Sequence, residues 1–193
     1  LAMRRPDLSL GVGSGSQGVQ TARILEKMEE ALLARDRDGE QFDGLLVVGD
    51  VTSTMAASIA AAKLGIAIAH VEAGLRSFDR TMPEEINRML TDSISNLMLA
   101  SEPVGVENLL REGHDPANVH LVGNLMIDTL RQQLQHAQAI DIEKLFGVKP
   151  GNYAVVTLHR PSNVDDPRAL AGLVDVLTTI SDRLPIVFPI HPR

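Results

Sequence analysis

A chain of 193 residues, 44% apolar and 22% charged, has the apolar content to pack one or two domains, and this argues against global disorder. A net charge of −7 with 3% aromatics lacks both the basic footprint and the stacking rings of a nucleic-acid binder. No cysteine means no disulfide and no thiolate metal site; no apolar run of about 18 residues and no visible signal peptide lead us to expect a cytoplasmic protein without a membrane span.

Along the chain, a strand-like run at 8–12 enters Gly13-Ser14-Gly15-Ser16-Gln17-Gly18, and a helix over 19–34 follows with Ile24, Met28, Leu32 and Leu33 on one stripe. Strands at 45–48, 66–71, 97–100 and 119–122 then alternate with helices over 54–63, 84–94 and 104–111. A helix over 126–137, a strand at 154–158, a helix over 167–182 and a strand at 186–190 complete the pattern. Nearly continuous apolar strands suit a parallel sheet covered on both faces. The alternation predicts βαβ units and an α/β fold with an open parallel sheet.

A Gln- and His-rich stretch at 131–139 and the breakers Gly147, Pro150 and Gly151 predict a first domain over 1–138, a linker over 139–150 and the start of a second domain over 151–193. That last segment holds only strand, helix, strand, too little for an independent layered domain. The start at Leu1 and the end at His191-Pro192-Arg193, just past a strand, lead us to expect a cut chain.

Open α/β sheets bind ligands beyond the carboxyl ends of their strands, which nominates Asp50, Glu72, Ser101, Asn124, His159 and His191. Asp50 has a plain alternative as the cap of the helix near Ser53, and His70 reads as a core histidine. Glu72 ends an otherwise apolar strand, so burial there needs a partner. His159-Arg160 offers two donors to an anion.

The densest stretch is 72–88. Pro83 before Glu84-Glu85 suits a helix start, where acids favour the dipole. Arg76, Arg80, Asn87 and Arg88 are left unexplained by that reading. Arginines beside carboxylates point to an anionic substrate with acid/base chemistry. Gly13 to Gly18 fits the dinucleotide pattern G-x-G-x-x-G, but Asp50 stands well beyond the expected spacing of about 20 residues. NAD is therefore disfavoured, while an anion or a sugar hydroxyl at that loop stays open.

Several blocks resemble the non-hydrolysing UDP-N-acetylglucosamine 2-epimerases. They are Val48-Gly49-Asp50-Val51-Thr52-Ser53-Thr54, His70-Val71-Glu72-Ala73-Gly74-Leu75-Arg76 and Met82-Pro83-Glu84-Glu85-Ile86-Asn87-Arg88. They continue with Gly123-Asn124-Leu125-Met126-Ile127-Asp128, Thr157-Leu158-His159-Arg160-Pro161-Ser162-Asn163 and Pro189-Ile190-His191-Pro192-Arg193. The resemblance implies two Rossmann-like domains in a glycosyltransferase-B-like architecture. It also implies interconversion of UDP-GlcNAc and UDP-ManNAc by elimination and re-addition of UDP through a 2-acetamidoglucal. The catalytic residues so implied are Asp50, Glu72, Glu84 and His159, with Arg76, Asn87, Arg88, Asn124, Arg160 and His191 around the substrate. No cofactor and no metal are implied, and a homodimer is.

The chain departs from the family in two ways. Pro161-Ser162 replaces the arginine and glutamate of H-R-R-E-N, and the opening G-T-R-P-E block and the later S-G-G segment that holds UDP do not occur. The expectation is a chain inactive by itself. The alternatives are a hydrolysing relative that releases ManNAc and UDP, a catalytically dead module, and an NAD-dependent oxidoreductase.

Overall fold

The computed structural model describes residues 4–34 and 41–190. Two compact units divide the chain, Leu1–Asp128 and Thr129–Arg193.

The first unit opens with α1 (Gln17–Leu33) and then alternates β1 (Gly44–Val48), α2 (Thr52–Lys63), β2 (Ala67–Val71), α3 (Pro83–Ile94), β3 (Leu97–Ala100), α4 (Pro103–Arg111) and β4 (Val119–Leu121). The four strands form one parallel sheet in the order β1-β2-β3-β4. Val48 pairs with Val71, Val71 with Leu99, and Ala100 with Leu121, so every strand delivers its last residue to the same edge. Helix α2 is rich in alanine, and Ala56, Ala57, Ala60 and Ala61 are all buried. Such small side chains let a helix lie close to both a neighbouring helix and the sheet. Leu32, Val47, Ala57, Ala60, Ala61 and Ile68 form the main apolar core, and Ala73, Met98, Leu109 and Val119 form a second.

α5 (Leu125–Gln138) runs across the division between the units. The second unit continues with α6 (Ile142–Phe146), β5 (Ala154–Val155), α7 (Pro161–Val164), α8 (Pro167–Ser181) and β6 (Ile186–Val187), with β5 and β6 paired in parallel. The α/β class and the parallel sheet are as the alternation predicts.

Two local expectations need correction, and one segment carries an element that the sequence reading did not give it. Residues 8–12 form no strand. Gly11 turns the backbone left-handed at φ +58, Leu8 is 64% exposed, and the Leu10 carbonyl accepts from the Lys27 ammonium at 2.6 Å, where a sheet partner would be. The stretch read as linker carries α6, which Asp141 caps by accepting from the Lys144 amide and Gly147 ends in a left-handed turn. The strands expected at 154–158 and 186–190 are two residues each, and among the described residues they pair with each other in a two-stranded sheet.

Candidate active site

The parallel register gathers the ends of β1 to β4 into one rim, with Asp50, Glu72, Ser101 and Asn124 following β1, β2, β3 and β4 in turn. What organises this rim is α3, a helix whose buried residues, Glu85, Asn87, Thr91 and Asp92, are all polar. A helix that turns a polar face inward must find partners for each group; Thr91 donates to the Asn87 carbonyl of its own helix, and Glu85, Asn87 and Asp92 find theirs in β2 and the turns after β1 and β2.

Asp50 meets α3 twice. Its carbonyl accepts from the Asn87 amide nitrogen at 2.9 Å, and its carboxylate pairs with Arg88 at 2.8 Å. It does not cap α2, whose N-cap is Val51 with no side-chain hydrogen bond. Glu84 is exposed on the first turn of α3. It precedes Asn87 and Arg88 by three and four residues, the spacing that stacks side chains on one helical face. The next residue, Glu85, is 4% exposed, and its carboxylate accepts from the Ser77 amide at 2.7 Å, the Ser77 hydroxyl at 3.0 Å and the Phe78 amide at 3.1 Å. The adjacent acids thus divide their work: one faces solvent and the other ties down the loop.

Glu72 sits in the left-handed region at φ +66, where a side chain crowds its own carbonyl. Its backbone amide donates to Leu99 O at 3.0 Å, as does that of Ala73 at 3.3 Å. Its carboxylate reaches toward the β1 turn: Oε2 lies 3.6 Å from where a Cβ on Gly49 would stand. Gly49, just before Asp50, takes φ +73, and a Cβ there would be in ordinary van der Waals contact with the Glu72 carboxylate, which sets that carboxylate beside the Asp50 turn.

Beneath this pair lies a buried polar network. His70 donates from Nε2 to Gly49 O at 2.8 Å, and its Nδ1 lies 2.7 Å from Asp92 Oδ1. Asp92 Oδ2 accepts from the Gly74 amide at 3.1 Å and pairs with Arg76 Nη1 at 2.7 Å. Arg76 also grips Glu112 through Nε and Nη2 at 2.8 and 2.6 Å. Burial alone would push the Asp92 carboxyl up. The hydrogen bond and charge of His70, and then Arg76, outweigh it and hold the carboxyl below the usual carboxylate range. For Arg76, desolvation pulls down, but Glu112 and Asp92 raise its pKa further.

The residues expected around a substrate divide accordingly. Arg76 has a side chain 1% exposed and directed into the protein, below the rim. Asn87 is 7% exposed and bonded to Asp50. Arg88 keeps a buried Nε with no hydrogen-bond partner, and so does the Ser101 hydroxyl; two donors at the rim are unspent. Asn124 accepts from the Met126 amide at 2.9 Å and so starts α5. His159 and Arg160 are exposed in the second unit, where His159 lines an apolar cleft with Leu158, Pro167, Leu170, Phe188 and Ile190. His191 lies outside the described residues.

Asp92 and the buried, loop-tying role of Glu85 went unread at the sequence level, as did Asn108 and Glu112. A signal for the first two was present, since Glu85 and Asp92 fall seven apart and therefore on one side of α3. The pattern G-x-G-x-x-G also loses its context, because no strand precedes it among the described residues; Ser16 there caps α1. Among the described residues, no three His, Cys, Asp or Glu side chains stand close enough to hold a metal ion, and no helix is long and apolar enough to cross a membrane.

Residues 1–193 match the family described as UDP-N-acetylglucosamine 2-epimerase. The chain belongs to this family. All of it aligns at 43% identity with 53% of the UDP-N-acetylglucosamine 2-epimerase of Methanococcus maripaludis. All of it also aligns at 39% identity with 53% of the UDP-2,3-diacetamido-2,3-dideoxy-D-glucuronate 2-epimerase of Pseudomonas aeruginosa. The crystal structure of the Methanocaldococcus jannaschii UDP-GlcNAc 2-epimerase in complex with UDP-GlcNAc and UDP superposes with a TM-score of 0.85 at 40% identity, over 99% of this chain and 52% of that one. The chain therefore spans about half the length of the relatives it matches, and it shares the glycosyltransferase-B-like α/β fold of the family's solved members.

Proposed function

We propose that the complete protein is a non-hydrolysing epimerase that interconverts UDP-GlcNAc and UDP-ManNAc, and the observation that carries the proposal is the placement of Glu72 and Asp50 on adjacent turns of one rim, with Glu84 on the helix that grips Asp50. In this reading one carboxylate removes the proton from C2 of the sugar, and the electrons of that C–H bond form the C1=C2 double bond. The C1–O bond to UDP breaks, leaving UDP and a 2-acetamidoglucal. Re-addition forms the C1–O bond again, and an acid delivers a proton to the other face of C2. Carboxylates suit both steps when a closed cleft tunes their protonation. Charge gathered on the leaving diphosphate calls for cationic donors, and His159 with Arg160 is assigned that task, together with His191.

The roles of Asp50, Glu72, Glu84 and His159, the assignment of Asn87, Arg88 and Asn124 to the substrate's surroundings, the division into domains over 1–138 and 151–193 and a homodimeric state are parts of the same proposal. The 193-residue chain alone is proposed to lack turnover. No cofactor is invoked.

The likeness to the Pseudomonas enzyme supports a second reading in which the sugar is a diacetamido uronate, since C2 chemistry is common to both. Incubation of the complete protein with each UDP-sugar in deuterated water tests both. Deuterium at C2 of recovered UDP-HexNAc, without free ManNAc, is the expected result. Product without solvent exchange at C2 would sink the elimination route, and free ManNAc would favour the hydrolysing alternative.

A further inference from the structure

We propose that Asp92 is a positioning residue that holds Glu72 in its left-handed turn, and that His70 ties this turn to the one bearing Asp50. The inference rests on the reading that Glu72 and Asp50 act on the sugar, and it names the device that sets their spacing.

Asp92 reaches both sides of Glu72. Oδ1 meets the His70 ring two residues before it, while Oδ2 takes the Gly74 amide two residues after it and pairs with Arg76 two further on. A non-glycine residue at φ +66 is strained and persists only where its surroundings over-determine it. The surroundings here are this carboxylate, the Leu99 carbonyl that takes two amides of the turn, and Asn108, which donates to Gly74 O at 2.9 Å. Gly74 leaves no slack: a Cβ there would stand 2.2 Å from Gly105 O.

His70 extends the clamp sideways. Its ring, 0% exposed, spans from Asp92 to the carbonyl of Gly49, the residue before Asp50. The Gly49 amide in turn donates to Val71 O at 3.0 Å. The two acid-bearing turns are thus joined through β2 by main chain and through His70 by side chain. None of the three side chains of the clamp needs to touch the sugar.

The test uses the complete protein and two variants, Asp92→Asn and Glu112→Ala. Asparagine keeps the volume but sets an N–H against Arg76 and the Gly74 amide. Alanine at 112 removes the outer partner of Arg76 at a partly exposed site and spares the fold if Asp92→Asn does not fold. Hydrogen exchange at the amides of Glu72, Ala73 and Gly74 should quicken in both variants while α2 stays protected. The kcat for C2 exchange should fall about 100-fold in Asp92→Asn, the scale of a displaced catalytic group, with KM within about twofold. Asp92→Glu, which keeps the charge, should recover part of the lost kcat. Unchanged exchange at residues 72–74 in the variants that fold overturns the clamp, and so does a parent-like kcat in Asp92→Asn. A parent protein with no C2 exchange at all overturns the functional reading alone, because amide exchange still reports on the clamp.

Discussion

Arg88 on α3 and Asp50 beyond β1 form an ion pair of 2.8 Å with side chains 12% and 29% exposed, so the helix grips the very turn that presents the acid. The same arginine leaves its Nε buried and unpartnered. Arg88→Ala should therefore act twice: it frees the Asp50 carboxylate and removes an unspent donor. A charge-assisted hydrogen bond in such a setting contributes about 1.5–3 kcal/mol. We expect a loss of stability of that order in urea unfolding, with a loss of C2 exchange in the complete protein. Full activity in Arg88→Ala would show that neither interaction matters to the chemistry.

Glu72 offers a separation of stability from function. Glycine adopts φ +66 freely, so Glu72→Gly should stabilise the chain by about 1 kcal/mol, whereas Glu72→Ala, which keeps a Cβ, should not. Both should abolish exchange at C2. Denaturant midpoints of the two variants check the first statement, and deuterium incorporation checks the second.

Glu84 and Glu85 make a matched pair on successive positions. Glu84→Gln should leave unfolding within about 0.5 kcal/mol of the parent, as an exposed substitution does, yet remove activity. Glu85→Ala strips the acceptor from the Ser77 amide, the Ser77 hydroxyl and the Phe78 amide. Hydrogen bonds to a charged acceptor contribute about 1.5–3 kcal/mol, so its midpoint should drop and amide exchange at Ser77 and Phe78 should quicken. Similar unfolding curves for the two variants would refute this division.

Acid sensitivity should trace to Asp92. Its carboxyl is held below the ordinary value, despite burial, by His70 and Arg76. A carboxyl depressed in the folded state adds stability above its unfolded pKa of about 3.9, and that stability is lost as pH falls through the folded value. The melting temperature should fall on acidification below about pH 4, and Asp92→Asn should flatten that limb. An unchanged acid limb in the variant would place the sensitivity elsewhere.

Much of the first unit could be read from sequence, because strand runs such as 97–100 and helices such as 104–111 combine period, length and flanking breakers. The places of the acids at the rim were also legible, since Asp50 and Glu72 follow apolar strands whose ends a parallel sheet gathers along one edge. Their supports were not. Whether a carboxylate on α3 faces solvent or a turn depends on how the helix is rotated about its axis, and Glu84 and Glu85 differ in that alone. The ion pairs of Arg76 are hidden from the sequence for a related reason. Its charge suggested a ligand, but its two carboxylate partners, Asp92 and Glu112, lie on different helices or helix ends and are distant in sequence. The run at 8–12 has strand composition without a strand neighbour, and composition carries no information about neighbours.

The contact of Gly74 with Gly105 has a consequence for how the rim can move. A Cβ on Gly74 would stand 2.2 Å from the Gly105 carbonyl oxygen, and one on Gly105 would stand 2.9 Å from that of Ala73, so two main chains abut with nothing between them. Side chains yield by rotating; abutting backbones have no such freedom. The turn after β2 therefore behaves as a peg seated in the first turn of α4. The main chain of Glu72 cannot drift on its own, and any displacement of its turn carries a helix with it.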